Sequence, residues 1–217
     1  MEESFDEVKD EIYFTDKEIF FRIWTSPRLV FKYINDKEYG EYVTILLVLA
    51  GILNVFDRAI TKNFGDTMPL WGVIFICIAA GALLGWLSFY IYAALVSWTG
   101  GLLHGEGDTE SILRIMSYAK IPVILVLVLL ALQIVAYGNA LFQSDVTLEY
   151  SDWADTMFLY GFGALSLILN VWTIVLTIIG VSEVQKLSIW KSVLNLILPI
   201  LIIGGPILII IYLFQAF

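Results

Sequence analysis

The sequence predicts an all-α fold, a polytopic membrane bundle of five transmembrane helices with the N-terminus inside and the C-terminus outside. Three observations carry this. Of the 217 residues, 59% are hydrophobic and 15% charged, an apolar share that the interior of a soluble domain of this size cannot absorb. Four long stretches, near residues 70–99, 121–143, 156–182 and 192–217, contain no Asp, Glu, Lys or Arg, and each exceeds the roughly 20 residues that a helix needs to cross a bilayer core. Finally, the basic residues sort to one side once a fifth span is included near residues 39–60.

That first span is the weakest, because Tyr42 to Phe56 is uncharged but Asp57 and Arg58 follow directly. The basic residues argue for keeping it. Lys9, Lys17, Arg22, Arg28, Lys32 and Lys37 precede it, Arg114 and Lys120 lie between the second and third spans, and Lys186 and Lys191 between the fourth and fifth. Only Arg58 and Lys62 fall opposite. The positive-inside rule makes the richer side cytoplasmic; without the first span the bias weakens.

Residues 1–38 read as an acidic tail followed by amphipathic segments, and 39–217 as the membrane domain. The opening run Met1–Glu11 is acidic and lacks the basic-then-apolar order of a cleavable signal, so the first span is expected to direct insertion. Thr15 with Glu18 forms a capping-box pattern ahead of Ile19, Phe20, Ile23 and Trp24. Ser26 is a candidate cap for a helix opened by Pro27, which carries Phe31 among Arg28 and Lys32. Trp24, Arg28, Phe31 and Lys32 suit a helix lying at headgroup level, and packing against the span ends is the alternative.

Within the second span, Gly81 and Gly85 form a GxxxG pattern that permits close helix approach, internally or between copies. Asp108 or Thr109 is expected to cap a short helix carrying Ile112, Leu113, Ile115, Met116 and Tyr118, ending before Pro122 opens the third span. Gln133, Asn170 and Asn195 are expected to bond between helices, and Pro199, Gly204, Gly205 and Pro206 to kink or break the fifth span. Asn54, Asp57 and Arg58 should cluster on one helix face. Asp145, Glu149, Asp152 and Asp155 crowd the loop before the fourth span and read as solvated, without a compact cation-ligand pattern.

Chemical motifs are sparse. The net charge of −9 is split between clusters and identifies no partner. One cysteine, Cys77, allows no intrachain disulfide. The single histidine, His104, makes neither a zinc site nor a triad, and no HExxH, GxSxG or phosphate loop occurs. No catalytic, metal or cofactor residues are assigned, and an enzyme and a nucleic-acid partner are not expected. Glu183 closes the fourth span, where the helix dipole disfavours an anion. It should pair with Arg114, Lys186 or Lys191, with Arg114 preferred.

The stretch Ser26-Pro27-Arg28 leading to Phe31, the run from Gly107 through Ser111, Leu113, Arg114 and Tyr118 to Pro122, and Gly180-Val181-Ser182-Glu183-Val184 with Ser188, Trp190 and Lys191 resemble the Yip-domain family. The resemblance implies a five-span membrane protein with a cytoplasmic N-terminus. Eukaryotic members of that family are linked to Rab GTPases and vesicle trafficking. The short acidic N-terminal region is more similar to the bacterial branch, for which the resemblance implies no established activity and a place in the inner membrane. The expected function is a non-enzymatic scaffold or organiser whose partners are membrane lipid, other membrane proteins or a second copy. A small permease or channel using the fifth span is the alternative.

Overall fold

A computed structural model describes residues 13–144 and 153–216. The acidic run Met1–Glu11 and most of the Asp145–Asp155 cluster lie outside the described residues. Eight α-helices follow in order: α1 (Asp16–Arg22), α2 (Pro27–Asp36), α3 (Val43–Thr61), α4 (Leu70–Leu102), α5 (Thr109–Ala119), α6 (Ile121–Tyr137), α7 (Trp153–Gln185) and α8 (Ile189–Ala216). Two 3-10 turns, Phe64–Asp66 and Gly138–Phe142, join α3 to α4 and extend α6. Helices α3, α4, α6, α7 and α8 are long and apolar enough to cross a membrane.

The first span begins later than the sequence suggests, at Val43 instead of residue 39, because the chain before it serves another element. Helix α2 ends in a Schellman motif, with Glu38 at φ 49° and the Tyr39 amide donating back to the Ile34 carbonyl at 2.9 Å. Tyr39 and Tyr42 are thereby left outside the helix, where both hydroxyls donate to the Asp16 carboxylate at 2.7 Å.

Helices α3 and α4 are in backbone contact. A Cβ on Gly51 would stand 2.6 Å from the Gly81 carbonyl oxygen, and one on Gly81 would stand 2.7 Å from the Ile52 nitrogen. Gly81 and Gly85 therefore serve packing within the chain, and Gly51 supplies the facing surface. Elsewhere α4 is apolar and exposed, at Trp71, Phe75, Leu83 and Trp98. Trp71 and Trp98 are separated by about 40 Å at 1.5 Å per residue, the full thickness of a bilayer with its headgroups, where tryptophan concentrates.

Helix α8 runs from Ile189 to Ala216 with Pro199 and Pro206 inside it, so of the expected kink or break the break does not occur. A proline has no N–H for the carbonyl four residues back and crowds that turn. Hydroxyls from α4 reach the opened turn: Tyr92 donates to the Leu196 carbonyl at 2.7 Å, and Thr99 Oγ1 lies 3.3 Å from the Asn195 carbonyl. Asn170, by contrast, is exposed and donates to Ser166 of its own helix at 2.9 Å. Gln133 is half-buried and makes no interhelical hydrogen bond among the described residues.

The two 3-10 turns close one end of the bundle. The Asn139 amide donates to the Gly65 carbonyl at 3.1 Å, and the Ser144 amide donates to Asp66 Oδ1 at 3.0 Å. Phe142 is fully buried there against Phe56. Asn54, Asp57 and Arg58 are exposed on α3 toward this end.

Candidate functional site at the basic end of the bundle

The other end carries a folded cap made of α1, α2, α5 and the loops after α4 and α7. Its core joins Phe14, Ile19, Ile23, Val30, Phe31 and Ile34 to Ile112, Ile115, Tyr118, Val181 and Val184. Residues 13–38 are thus continuous in packing with the spans.

Local sequence explains each cap helix. Thr15 and Glu18 form the expected capping box on α1, and Arg22 pairs with Glu18 at 3.2 Å. Pro27 opens α2, but Ser26 makes no side-chain cap. The Asp108 carboxylate accepts from the Ser111 amide at 2.8 Å and starts α5. The Ser111 hydroxyl and amide hold the Asp108 carboxyl below its usual range, and the Tyr42 and Tyr39 hydroxyls do the same for Asp16. Tyr118 donates no charge to this cluster; burial pushes its phenol up to about 12.

The predicted interfacial set separates in the structure. Phe31 is fully buried, a correction to its reading as a headgroup-level residue. Trp24 is half-buried against the apolar core, while Arg28 and Lys32 are exposed. An aromatic-and-basic helix has the same sequence pattern whether its apolar face meets lipid or a neighbouring helix, and here α7 takes that face. At Gly180 a Cβ would overlap Ile115 and stand 3.4 Å from the Phe31 ring.

The ion pairs also differ from expectation. Glu183 faces Arg28 of α2 at 3.9 Å, not Arg114. Lys186 pairs with Glu106, which holds the ammonium pKa above its usual value. Lys191 is exposed, and Arg114 is half-buried with Nη1 lacking a hydrogen-bond partner among the described residues.

Gln185 has no counterpart in the sequence reading. It is fully buried at the C-terminus of α7. Its Oε1 accepts from the Gly107 amide at 3.0 Å, its Nε2 donates to the Val96 carbonyl at 3.4 Å, and its own carbonyl accepts from the Glu106 amide at 3.2 Å. A Cβ at Gly100 or Gly105 would overlap its amide group. Gly100 and Gly105 thereby leave room for this one side chain.

Both neighbouring helix ends turn through left-handed residues that are not glycine. His104 has φ 66°, with the Gly105 amide donating to the Gly100 carbonyl at 2.8 Å. Lys186 has φ 51°, with the Leu187 amide donating to the Ser182 carbonyl at 3.2 Å. These are Schellman closures, and they give His104 a backbone role. Among the described residues no three His, Cys, Asp or Glu side chains gather as a metal site.

Three sequence stretches far apart in the chain therefore form one unit. Arg28 and Phe31 of the first meet Glu183 and Gly180 of the third. Ile115 and Gly107 of the second meet Gly180 and Gln185.

A five-helix membrane bundle closed at one end by paired 3-10 turns and at the other by a helical cap defines the class: an integral, multi-pass membrane protein. The family model of the Yip1 domain matches residues 21–211, and the chain belongs to the Yip1-domain family. Neither curated proteins nor solved structures give a match.

Proposed function

We propose that this protein is a non-enzymatic membrane scaffold or organiser, working through its helix packing and through the cap at its basic end. The observation that carries the reading is the backbone contact of α3 with α4 at Gly51, Gly81 and Gly85. Such close packing holds a fixed shape. The bonds from Thr99 and Tyr92 to α8 support the same reading, since they engage the proline turn that a permease would use as its moving part.

The distribution of Lys and Arg supports a cytoplasmic cap and an outward C-terminus, and a bacterial inner membrane is the proposed location. The exposed Arg28, Lys32 and Lys191 offer cationic contacts to anionic lipid, another membrane protein or a second copy.

Purification in mild detergent, with identification of bound proteins and lipids, tests this directly. A specific, stoichiometric membrane partner is the expected result. Protein that returns alone yet moves solute across liposomes would replace the scaffold reading with the permease.

A further inference from the structure

An asparagine inside a span is expected to bond between helices, and within this chain Asn170 does not. Its amide donates to the Ser166 carbonyl of its own helix at 2.9 Å, the only hydrogen bond it makes among the described residues. The side chain is exposed and stands near the middle of the span Tyr160–Gln185, at a depth where the surroundings are hydrocarbon. The carboxamide oxygen and the second N–H are therefore left over, and the bilayer core holds no water to take them up.

Asn170 belongs to a line of exposed residues on α7. Gly163, Leu167, Asn170 and Ile174 follow one another at four, three and four residues, the spacing of a seam between two helices. Leu167 is 65% and Ile174 59% exposed, and a Cβ on Gly163 would meet nothing within 4 Å. A purely apolar face of this kind is at home in lipid; the amide is the group that is not. Its complement is a neutral group carrying one donor and one acceptor, since a charged partner would bring its own unpaired charge into hydrocarbon. A second Asn170 meets that requirement. Across a two-fold axis the Oδ1 of each accepts an N–H of the other, Leu167 and Ile174 meet their counterparts, and Gly163 lets the backbones approach.

We propose that this face of α7 is the seam of a homodimer, in which Asn170 hydrogen-bonds to the same residue of a second copy. The seam names one partner for the scaffold but requires only that α7 spans a membrane. A monomeric protein defeats it and leaves the scaffold reading to another partner, whereas a dimer that moves solute defeats the scaffold reading alone.

The test is energy transfer between donor- and acceptor-labelled full-length protein in phosphatidylcholine liposomes, followed as the protein is diluted with lipid. Wild type should associate. Asn170→Leu should associate about tenfold more weakly, the loss expected for one interhelical amide pair in a membrane, and Asn170→Gln, which keeps the amide, should recover most of it. In detergent that holds the protein monomeric, Asn170→Leu should unfold at the wild-type temperature, because the amide bonds only to its own helix. Wild type that stays monomeric at every dilution leaves lipid or a different membrane protein on this face and overturns the assignment. So does Asn170→Leu that associates as wild type does, or that lowers the thermal midpoint of the monomer. A second measurement uses a Cys77→Ala background: Leu167→Cys or Ile174→Cys should form disulfide-linked dimers on mild oxidation, and Leu83→Cys on α4 should not. Cross-linking through Leu83→Cys alone would place any dimer elsewhere and refute the seam.

Discussion

The hydroxyl oxygen of Thr99 lies 2.7 Å from Oδ1 of Asn195 and 3.3 Å from that residue's backbone carbonyl. Pro199 lacks the N–H that would bond this carbonyl, and both side chains are fully buried. Thr99→Val keeps the shape and removes the hydroxyl, so it should destabilise the protein by about 1–2 kcal/mol, read as a lower thermal midpoint in detergent. Asn195→Leu added to it should restore part of the loss; simple additivity of the two losses would show that the groups do not act as a pair.

Gly85→Leu should be among the most damaging single changes, because its side chain would enter the α3 backbone at Gly51. Overpacking of this kind costs about 1–3 kcal/mol or more. Gly161→Leu faces open space and should leave the thermal midpoint nearly unchanged. Equal effects at the two positions would contradict the α3–α4 contact.

His104→Gly should stabilise the chain by about 1 kcal/mol, since glycine adopts the left-handed conformation without the Cβ penalty. His104→Ala retains that penalty and should gain nothing. Thermal unfolding of the pair separates this backbone role from a chemical role for the imidazole, which both substitutions remove alike.

Gln185→Leu fills similar volume but cannot accept from the Gly107 amide. Leaving that donor unpaired should cost about 1–3 kcal/mol and speed hydrogen exchange at Glu106 and Gly107 ahead of the spans. Uniform exchange throughout the chain would show that Gln185 does not latch this loop.

Stability should fall in acid through Asp16. The Tyr42 and Tyr39 hydroxyls lower its pKa below the ordinary aspartate value, so the unfolded chain takes up this proton first. The contribution is complete above the unfolded pKa and is lost as pH falls through the lower, folded one. Asp16→Asn should reduce the thermal midpoint at neutral pH and flatten its dependence below about pH 4; an unchanged acid limb would exclude this carboxylate as a source.

The spans were legible in the sequence because hydrophobic length is a local property, and the caps at Thr15 and Asp108 because their bonds reach only three residues. Glu183 had a legible need for a cation but not a legible choice of one. Arg28 reaches it across the cap, and that proximity arises only when α2 packs on α7. Phe31 shows the same limit, since its helix has an apolar face whatever surface covers it. Gln185 was missed because a glutamine in a helical run carries no signal until Gly100 and Gly105, distant in the chain, are seen to leave room for it. The closures at Glu38, His104 and Lys186 were hidden by the absence of glycine from the left-handed position.

Helix α3 has 19 residues and α4 has 33, about 28 Å against about 50 Å of rise. The missing height above α3 is supplied by the tyrosines and short helices of the cap. A lipid travelling around the perimeter therefore meets walls of unequal height, a tall apolar one along α4 and a low one roofed by phenols and cations beside α3. A bilayer of one thickness can meet both only if the tall helix tilts or the lipid beside the short one thins, so the two flanks do not offer lipid the same boundary.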